Sequence, residues 1–419
     1  MLDRKSAPGY VQDTSFDLIK PQQTSLPNGV DIFFIHGGSQ DVLKIELTFK
    51  AGRWFETTWG AAHFTSHLLA KGTKNKSSFE IAQWFDRYGA HLEVNAGLDM
   101  VSISLYTLTK NLQPVIGLLQ EILQQPVFPE KELEQSKSIY IQNLKVNHEK
   151  TSFLAAKHFR KNLFGEDHPY GKEIEEGDVN NLQQKDLFDH FNTRIQHFSV
   201  FVSGKFDRTD EALIADTFSK WKPGAVAEGK TKPVNLKPAS ERIEKEGSVQ
   251  SSLRMGTRSV LRTHPDYAKV VFVSHILGGY FGSRLMKNIR EEKGLTYGIH
   301  ASLQPLRHDS YLAIGADVNK ENVDLAFSEI RKELKRLREE KISFDELETA
   351  RNHFIGSLQS ELTTPFAHAD KLRAIYLYGL PADYFQRMIA TVQQTSVAQV
   401  METSEQYFNE EKFFEIAVG

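Results

Sequence analysis

The stretch Ala61-Ala-His-Phe-Thr-Ser-His-Leu-Leu-Ala-Lys-Gly-Thr73 is the most informative part of the chain. Its residue pattern predicts a helix, and Gly72 indicates where that helix ends. His63 and His67 are four residues apart, so both imidazoles project from one face of the predicted helix. Two histidines in this arrangement can bind one metal ion, usually zinc, when another part of the chain supplies further donors.

The residue before the second histidine determines whether such a pair could act in hydrolysis. In the inverted zinc-peptidase motif His-x-x-Glu-His, a glutamate stands there and acts as general base on the zinc-bound water. This chain has Ser66 at that position. A serine hydroxyl is a poor proton acceptor near neutral pH, so the general base is absent. A plainer interpretation also stays open, because most histidine pairs on amphipathic helices are solvated or hydrogen-bonded.

Length and composition exclude several classes of function. A chain of 419 residues is longer than one ordinary hydrophobic core accommodates, so two or more domains are expected. The formal net charge of −3 gives no sign of a nucleic-acid or membrane surface. Cysteine is absent, so disulfides and thiolate ligands are excluded and a metal would need His, Asp or Glu. No signal peptide is visible, and no apolar run approaches the roughly 18 residues of a membrane span, so we expect a cytoplasmic protein.

The chain divides at one segment rich in proline, glycine and lysine. This segment, residues 222–246, is the predicted linker. It separates a predicted N-terminal domain, residues 1–221, from a C-terminal domain, residues 247–419. Each half alternates short apolar strands with amphipathic helices, which favours an α+β fold with mainly antiparallel sheets.

The two halves resemble each other in sequence. Residues 103–112 resemble residues 314–323 at an offset of 211, and each segment reads as a strand, a polar break and a helix. Residues 133–144 resemble residues 347–358 at an offset of 214. A helix at 281–292, ended by Gly294, is expected where the first half has its histidine helix. We therefore predict two homologous domains, with a site between them as the default.

Two motifs in the second half give a family resemblance. They are Gly279-Tyr-Phe-Gly-Ser-Arg-Leu285 and Ile289-Arg-Glu-Glu-Lys-Gly-Leu-Thr-Tyr297. Together with the early His-x-x-x-His, they make the chain similar to the pitrilysin-type inverted zincin peptidases over nearly its whole length. It most resembles their two-component branch, which includes mitochondrial processing peptidase and respiratory core proteins. The resemblance implies a clam-like shell formed by two similar domains.

The resemblance also assigns positions to a zinc site that is degenerate here. Similar proteins take their third ligand from a glutamate on a later helix, with a supporting acid two turns earlier. The matching positions in this chain are Asn143 and Ser136, and neither residue is anionic. Three of the five site residues, Ser66, Ser136 and Asn143, are therefore changed. His63 and His67 remain as weak metal candidates, so the resemblance implies no cofactor in this chain and zinc in a partner.

The arginine and tyrosine that the family carries in its second domain are both present in this chain. Arg290 and Tyr297 match the arginine and tyrosine that reach the zinc site from the second domain in active members. A guanidinium and a phenol can hold a substrate backbone and stabilise the oxyanion of a tetrahedral intermediate. The alternative is a surface arginine and a core tyrosine without such a role.

This chain has the arginine and the tyrosine of the family's site but lacks the general base and the anionic zinc ligand. That combination suggests one subunit of a composite enzyme. The expected partner is a His-x-x-Glu-His zinc peptidase subunit, and the expected ligands are peptides or unfolded polypeptides. An extended peptide could add to an edge strand such as residues 89–95. Alternatives are a catalytically inactive structural subunit and a peptide-binding homologue, and a homodimer in isolation stays open. Nucleic acid is not an expected partner.

Overall fold

The computed structural model describes residues 15–224 and 236–419 and shows two mixed sheets, each covered by helices. The first sheet has the strand order β1-β2-β6-β3-β5-β4, and the second has the order β7-β11-β8-β10-β9. Only β2–β6 and β7–β11 pair in parallel; the other pairs within these sheets are antiparallel. The strands are β1 (Gln22–Ser25), β2 (Asp31–His36), β3 (Val42–Phe49), β4 (His91–Ala96), β5 (Val101–Leu108), β6 (Phe198–Gly204), β7 (Ser240–Ile243), β8 (Gln250–Arg258), β9 (Ile299–Pro305), β10 (Ser310–Asn319) and β11 (Phe414–Val418).

Helices separate the strands along most of the chain, and the predicted α+β class with mainly antiparallel sheets is confirmed. The first half contains α1 (Ala61–Leu68), α2 (Ser78–Arg87), α3 (Leu112–Gln124), α4 (Glu130–His148), α5 (Thr151–Phe164), α6 (Glu176–Asn181), α7 (Gln184–Arg194) and α8 (Arg208–Ser219). The second half contains α9 (Tyr267–Gly278), a π-helix (Met286–Glu292), α10 (Val323–Glu339), α11 (Phe344–Ser360), α12 (Pro365–Tyr378), α13 (Tyr384–Gln394) and α14 (Val397–Tyr407).

The internal repeat predicted from the sequence is present in the structure. Strands β5 and β10 are each followed by a short 3₁₀ turn and then by a helix, α3 or α10, whose starting residues Leu112 and Val323 are 211 apart. Helices α4 and α11 begin 214 residues apart, at Glu130 and Phe344. The same offset relates all of α5 to all of α12.

The helix expected at 281–292 is shorter and has another place in the repeat. Its regular part is the π-helix Met286–Glu292, and α9 is the helix that directly follows β8, as α1 follows β3. The helix that corresponds to the histidine helix is therefore α9, and the predicted correspondence of 281–292 with the histidine helix is wrong. The sequence alone did not show that 281–292 is a π-helix, because a π-helix has no sequence signature that distinguishes it from an α-helix.

Each half packs one helix against the sheet of the other half. Helix α5 lies on β8 and β11, where the Thr151 and Ser252 hydroxyl oxygens are 2.9 Å apart. Helix α12 lies on β2 and β6, and its Tyr376 hydroxyl donates to Asp31 Oδ2 at 2.9 Å. On the same face, Arg373 forms an ion pair with the buried carboxylate of Glu46. The exchanged helices bury apolar surface between the halves and fix their relative position.

The predicted linker, residues 222–246, contains a strand of the second sheet. Its strand β7 begins at Ser240 and pairs in parallel with β11, while residues 225–235 lie outside the described residues. The domain boundaries 1–221 and 247–419 stay a prediction. None of the helices that the structure describes combines the length and apolar character needed to span a lipid bilayer.

Candidate functional site

Helix α1 is held at its N-terminus by a buried carboxylate. Glu56 accepts hydrogen bonds from the backbone N–H groups of Ala62 at 2.7 Å and Gly60 at 3.3 Å, donors that a helix leaves without intrahelical partners. Burial raises the pKa of Glu56 to about 7, although these hydrogen bonds lower it. The helix ends at Leu68 and not at Gly72, because Gly72 pairs with Ser77 in an isolated β-bridge.

His63 and His67 lie on one face of α1, as their spacing predicts. Their rings are almost parallel, at 2°, and the ring centroids are 6.1 Å apart. Burial lowers the pKa of His63 to about 4, with His67 and Arg53 lowering it further. Burial and the charge of Lys71 also lower the pKa of His67. Both imidazoles are therefore neutral at pH 7, which is the form that binds metal ions.

Helix α4 places a tyrosine, not an acid, against these histidines. The ring of Tyr140 lies 5.0 Å from the ring of His63, centroid to centroid, and burial raises the pKa of its phenol to about 12. Ser136 is buried one turn earlier on the helix. The resemblance places the third zinc ligand at Asn143, but the side chain of Asn143 is exposed. Counting over more than 70 residues cannot fix a helical face, so sequence reasoning missed Tyr140.

The side chains at this site do not fit a resident zinc ion. Across residues 15–224 and 236–419, no three His, Asp or Glu side chains lie close enough together to hold a metal. Glu132 of α4 is near enough to raise the pKa of His67, but it completes no such group. Two imidazoles alone leave a tetrahedral zinc site short of a structural or catalytic ligand set.

A cavity of about 420 Å³ lies beside the second histidine. Ser66 and His67 line it on one side, and β4 lines it on the other. The Ser66 hydroxyl is buried and has no hydrogen-bond partner among the described residues. Strand β4 is the edge of the first sheet, as its predicted role as a peptide-accepting strand requires.

The π-helix presents Arg290 at the surface of the second half. The guanidinium carbon of Arg290 lies 4.5 Å from the ring centroid of Phe281, a cation–π distance, and Phe281 is itself exposed. Two residues earlier, the buried Asn288 amide donates to Glu329 Oε2 at 2.9 Å and to Glu333 Oε1 at 2.7 Å, both on α10. Asn288 therefore fixes the segment that carries Arg290.

Tyr297 follows the π-helix in a turn and projects outward. Its side chain is 94% exposed, so the alternative of a core tyrosine is wrong. The neighbouring Thr296 hydroxyl lies 2.7 Å from the Asp317 carbonyl oxygen, which holds the turn against β10. Within the described chain, neither Arg290 nor Tyr297 forms a hydrogen bond, ion pair or ring contact with His63 or His67. The structure therefore does not join the two predicted parts of the site.

Replacing Asn288 tests how the arginine segment is held. In Asn288→Asp, a third carboxylate would face Glu329 and Glu333 in a buried place, and two donated hydrogen bonds would be lost. We expect the free energy of unfolding to fall by about 1–3 kcal/mol in urea titrations. The matched control is Asn143→Asp, which makes the same change at an exposed helix position and should alter stability by less than about 0.5 kcal/mol. Equal stability of both variants would contradict this role of Asn288.

The fold and the site together define a two-domain peptidase-like protein with an incomplete zinc centre. Residues 33–175 match the family model described as insulinase (peptidase family M16), and residues 182–354 match the model described as peptidase M16 inactive domain. The two models cover most of the chain, which therefore belongs to peptidase family M16.

Relatives and solved structures agree with this assignment. The chain is 25% identical over 349 residues to an uncharacterized zinc protease of Rickettsia bellii, with 80% of this chain and 82% of the relative covered. It is 23% identical over 368 residues to a Helicobacter pylori protein named a non-peptidase homolog, covering 85% and 84%. The crystal structure of a peptidase M16 inactive domain from Pseudomonas fluorescens superposes with a TM-score of 0.88 at 25% identity, over 95% of this chain and 98% of that chain.

Proposed function

We propose that this chain is the non-zinc subunit of a heteromeric zinc metallopeptidase. It contributes Arg290 and Tyr297 to an active site whose zinc and general base belong to a His-x-x-Glu-His partner subunit. The observation that carries the proposal is the exposure of Tyr297, whose phenol is 94% accessible while its turn is held in place. A phenol on a well-held turn and this exposed suits a contact with another molecule.

The incomplete zinc centre supports the same division of roles. Ser66 replaces the general base, and Tyr140 stands beside His63 where an acidic ligand would be needed. The edge strand β4 and its adjoining cavity are retained, so an extended peptide could still bind in the first half. The chain would then bind substrate and stabilise the transition state without activating water itself.

The metal content of the purified chain gives a direct test of this division. We expect clearly less than one zinc per chain after dialysis, because two imidazoles hold zinc weakly without an anionic third ligand. Elemental analysis of the purified chain, before and after brief exposure to a chelator, measures this. One zinc per chain that survives dialysis, together with a peptidase activity that the chelator abolishes, would refute the proposal.

A second candidate is a peptide-binding homologue without any role in hydrolysis. The retained edge strand and the 420 Å³ cavity favour it over a purely structural subunit. Affinity purification from the native source separates the candidates. A His-x-x-Glu-His partner supports the composite enzyme, membrane subunits support a structural role, and peptides alone support the binding role.

A further inference from the structure

A second cavity, of about 550 Å³, lies where the two halves of the chain meet. Strands β3 and β6 of the first sheet form one wall, and α12 with the β9–β10 connection forms another. Eleven of the described residues line it: Gly29, Thr48, Lys50, Met100, Arg194, His197, Phe198, Ser199, Arg307, Tyr376 and Leu377. It is separate from the cavity beside His67 and shares no residue with it.

The described residues that line this cavity include more basic than acidic side chains. Three of its lining residues, Lys50, Arg194 and Arg307, are cations, and none of the eleven is an aspartate or glutamate. Partial desolvation, followed by the nearby charge of Arg307, lowers the pKa of Lys50. The Arg194 side chain is buried although it carries a charge, and burial lowers its pKa as well. The charge of Arg307 disfavours the charged form of Lys50, and an oxyanion between the two side chains would favour it.

Two carboxylates next to lining residues, Asp99 and Asp31, accept hydrogen bonds from neutral donors. Asp99 accepts hydrogen bonds from the Tyr170 hydroxyl at 2.5 Å and the Arg307 backbone N–H at 3.0 Å. Asp31 accepts from the Tyr376 hydroxyl at 2.9 Å. Further along the same face of β3, the cation Lys44 does have acidic partners, Glu46 at 2.8 Å and Asp370 at 3.6 Å. Among the described residues, Lys50 at the cavity end of that face forms no such ion pair.

A buried hydroxyl on the cavity wall points to a ligand independently of charge. Thr48 is 4% exposed, and its Oγ1 has no hydrogen-bond partner among the described residues. Burying a hydroxyl without a hydrogen-bond partner is unfavourable, so such groups are uncommon in folded proteins. An oxyanion in the cavity would accept a hydrogen bond from it.

We propose that this cavity binds a small organic anion with two or more negative charges, carried by phosphate or carboxylate groups. Lys50 of the first half and Arg307 of the second would bind the oxyanion together, with Thr48 donating a further hydrogen bond. Arginine suits this role because its planar donors match the oxygens of both groups. Met100, Phe198 and Leu377 give the cavity an apolar part that accommodates a small carbon skeleton. The bound anion would join the two halves and stabilise their arrangement.

Calorimetry with the full chain, in low-salt buffer, tests the proposal with inorganic pyrophosphate and citrate as probes. We expect millimolar or tighter binding of at least one probe and a higher melting temperature when it is present. Binding of both probes would show that charge alone selects the ligand, whereas binding of one identifies the phosphate or the carboxylate class.

Three substitutions localise the binding to the cavity. Lys50→Gln and Thr48→Val should each weaken it, the former by about tenfold or more, as expected for a hydrogen bond to a charged group. Lys50 is exposed, so its replacement leaves folding intact. The control Lys110→Gln changes an exposed lysine elsewhere on the first half and should not alter binding. Absence of binding by both probes, or equal affinities for all variants, would overturn the proposal.

Discussion

In the proposed two-subunit enzyme, Arg290→Ala should lower turnover by about 100- to 1,000-fold, the usual effect of losing one oxyanion donor. Tyr297→Phe removes a single hydroxyl and should have an effect of the same order. Tyr297 is 94% exposed and Arg290 is half-buried against the exposed ring of Phe281, so neither variant should impair folding. The measurement is peptide cleavage by each variant mixed with the zinc-bearing subunit at saturating concentration.

The kinetic parameter that changes identifies what the pair does. A loss in kcat at constant KM indicates a contact made in the transition state, whereas an increase in KM alone indicates that the pair only holds the substrate. Lys287→Ala is the matched control, because Lys287 is an exposed cation on the same π-helix. Full activity of both variants would exclude the pair from catalysis and favour the structural or peptide-binding alternatives.

Introducing an acid at Tyr140 should restore much of the lost zinc affinity. Tyr140 lies beside His63, so Tyr140→Glu places a carboxylate where a third ligand is needed. Combined with Ser66→Glu, which projects into the 420 Å³ cavity, it rebuilds both the ligand set and the general base. We expect zinc affinity to rise at least about 100-fold, since even supporting residues around a metal change affinity by about 10–100-fold.

The comparison variant for this experiment is Ser66→Glu with Asn143→Glu. Counting along the sequence favours Asn143 as the ligand position, but its side chain is exposed. Competition titrations against a chromophoric zinc chelator should therefore show little gain for this variant or for Ser66→Glu alone. Circular dichroism verifies that Tyr140→Glu, which adds a carboxylate near those of Glu56 and Glu173, does not unfold the helix. A gain with Asn143→Glu and none with Tyr140→Glu would restore the ligand position given by the sequence.

Local sequence signals predicted much of this fold because they act within a few residues. Ser77 and Glu80, three residues apart as in the usual capping-box pattern, form a capping box at the start of α2, with the Glu80 carboxylate 2.8 Å from the Ser77 backbone nitrogen. The repeat offsets of 211 and 214 are also reproduced, because corresponding helices begin at corresponding residues. The histidine pair could be placed on one helical face for the same reason.

Features that depend on distant contacts could not be predicted in this way. The exchange of α5 and α12 between the sheets involves pairs such as Asp31 and Tyr376, which are 345 residues apart. The contact between Tyr140 and His63 depends on how α4 crosses α1, and sequence spacing does not determine that crossing. The π-helix that carries Arg290 has no pattern of its own.

The most direct test of the proposed function compares three preparations in one peptide-cleavage assay: this chain, a His-x-x-Glu-His subunit from the same source, and the two mixed. The account predicts that this chain alone has no activity and that the mixture exceeds the zinc-bearing subunit alone by about 100-fold or more, because Arg290 and Tyr297 complete its active site. Chelation should abolish the activity of the mixture. Cleavage by this chain alone, or a mixture no more active than its zinc-bearing subunit, would contradict the account.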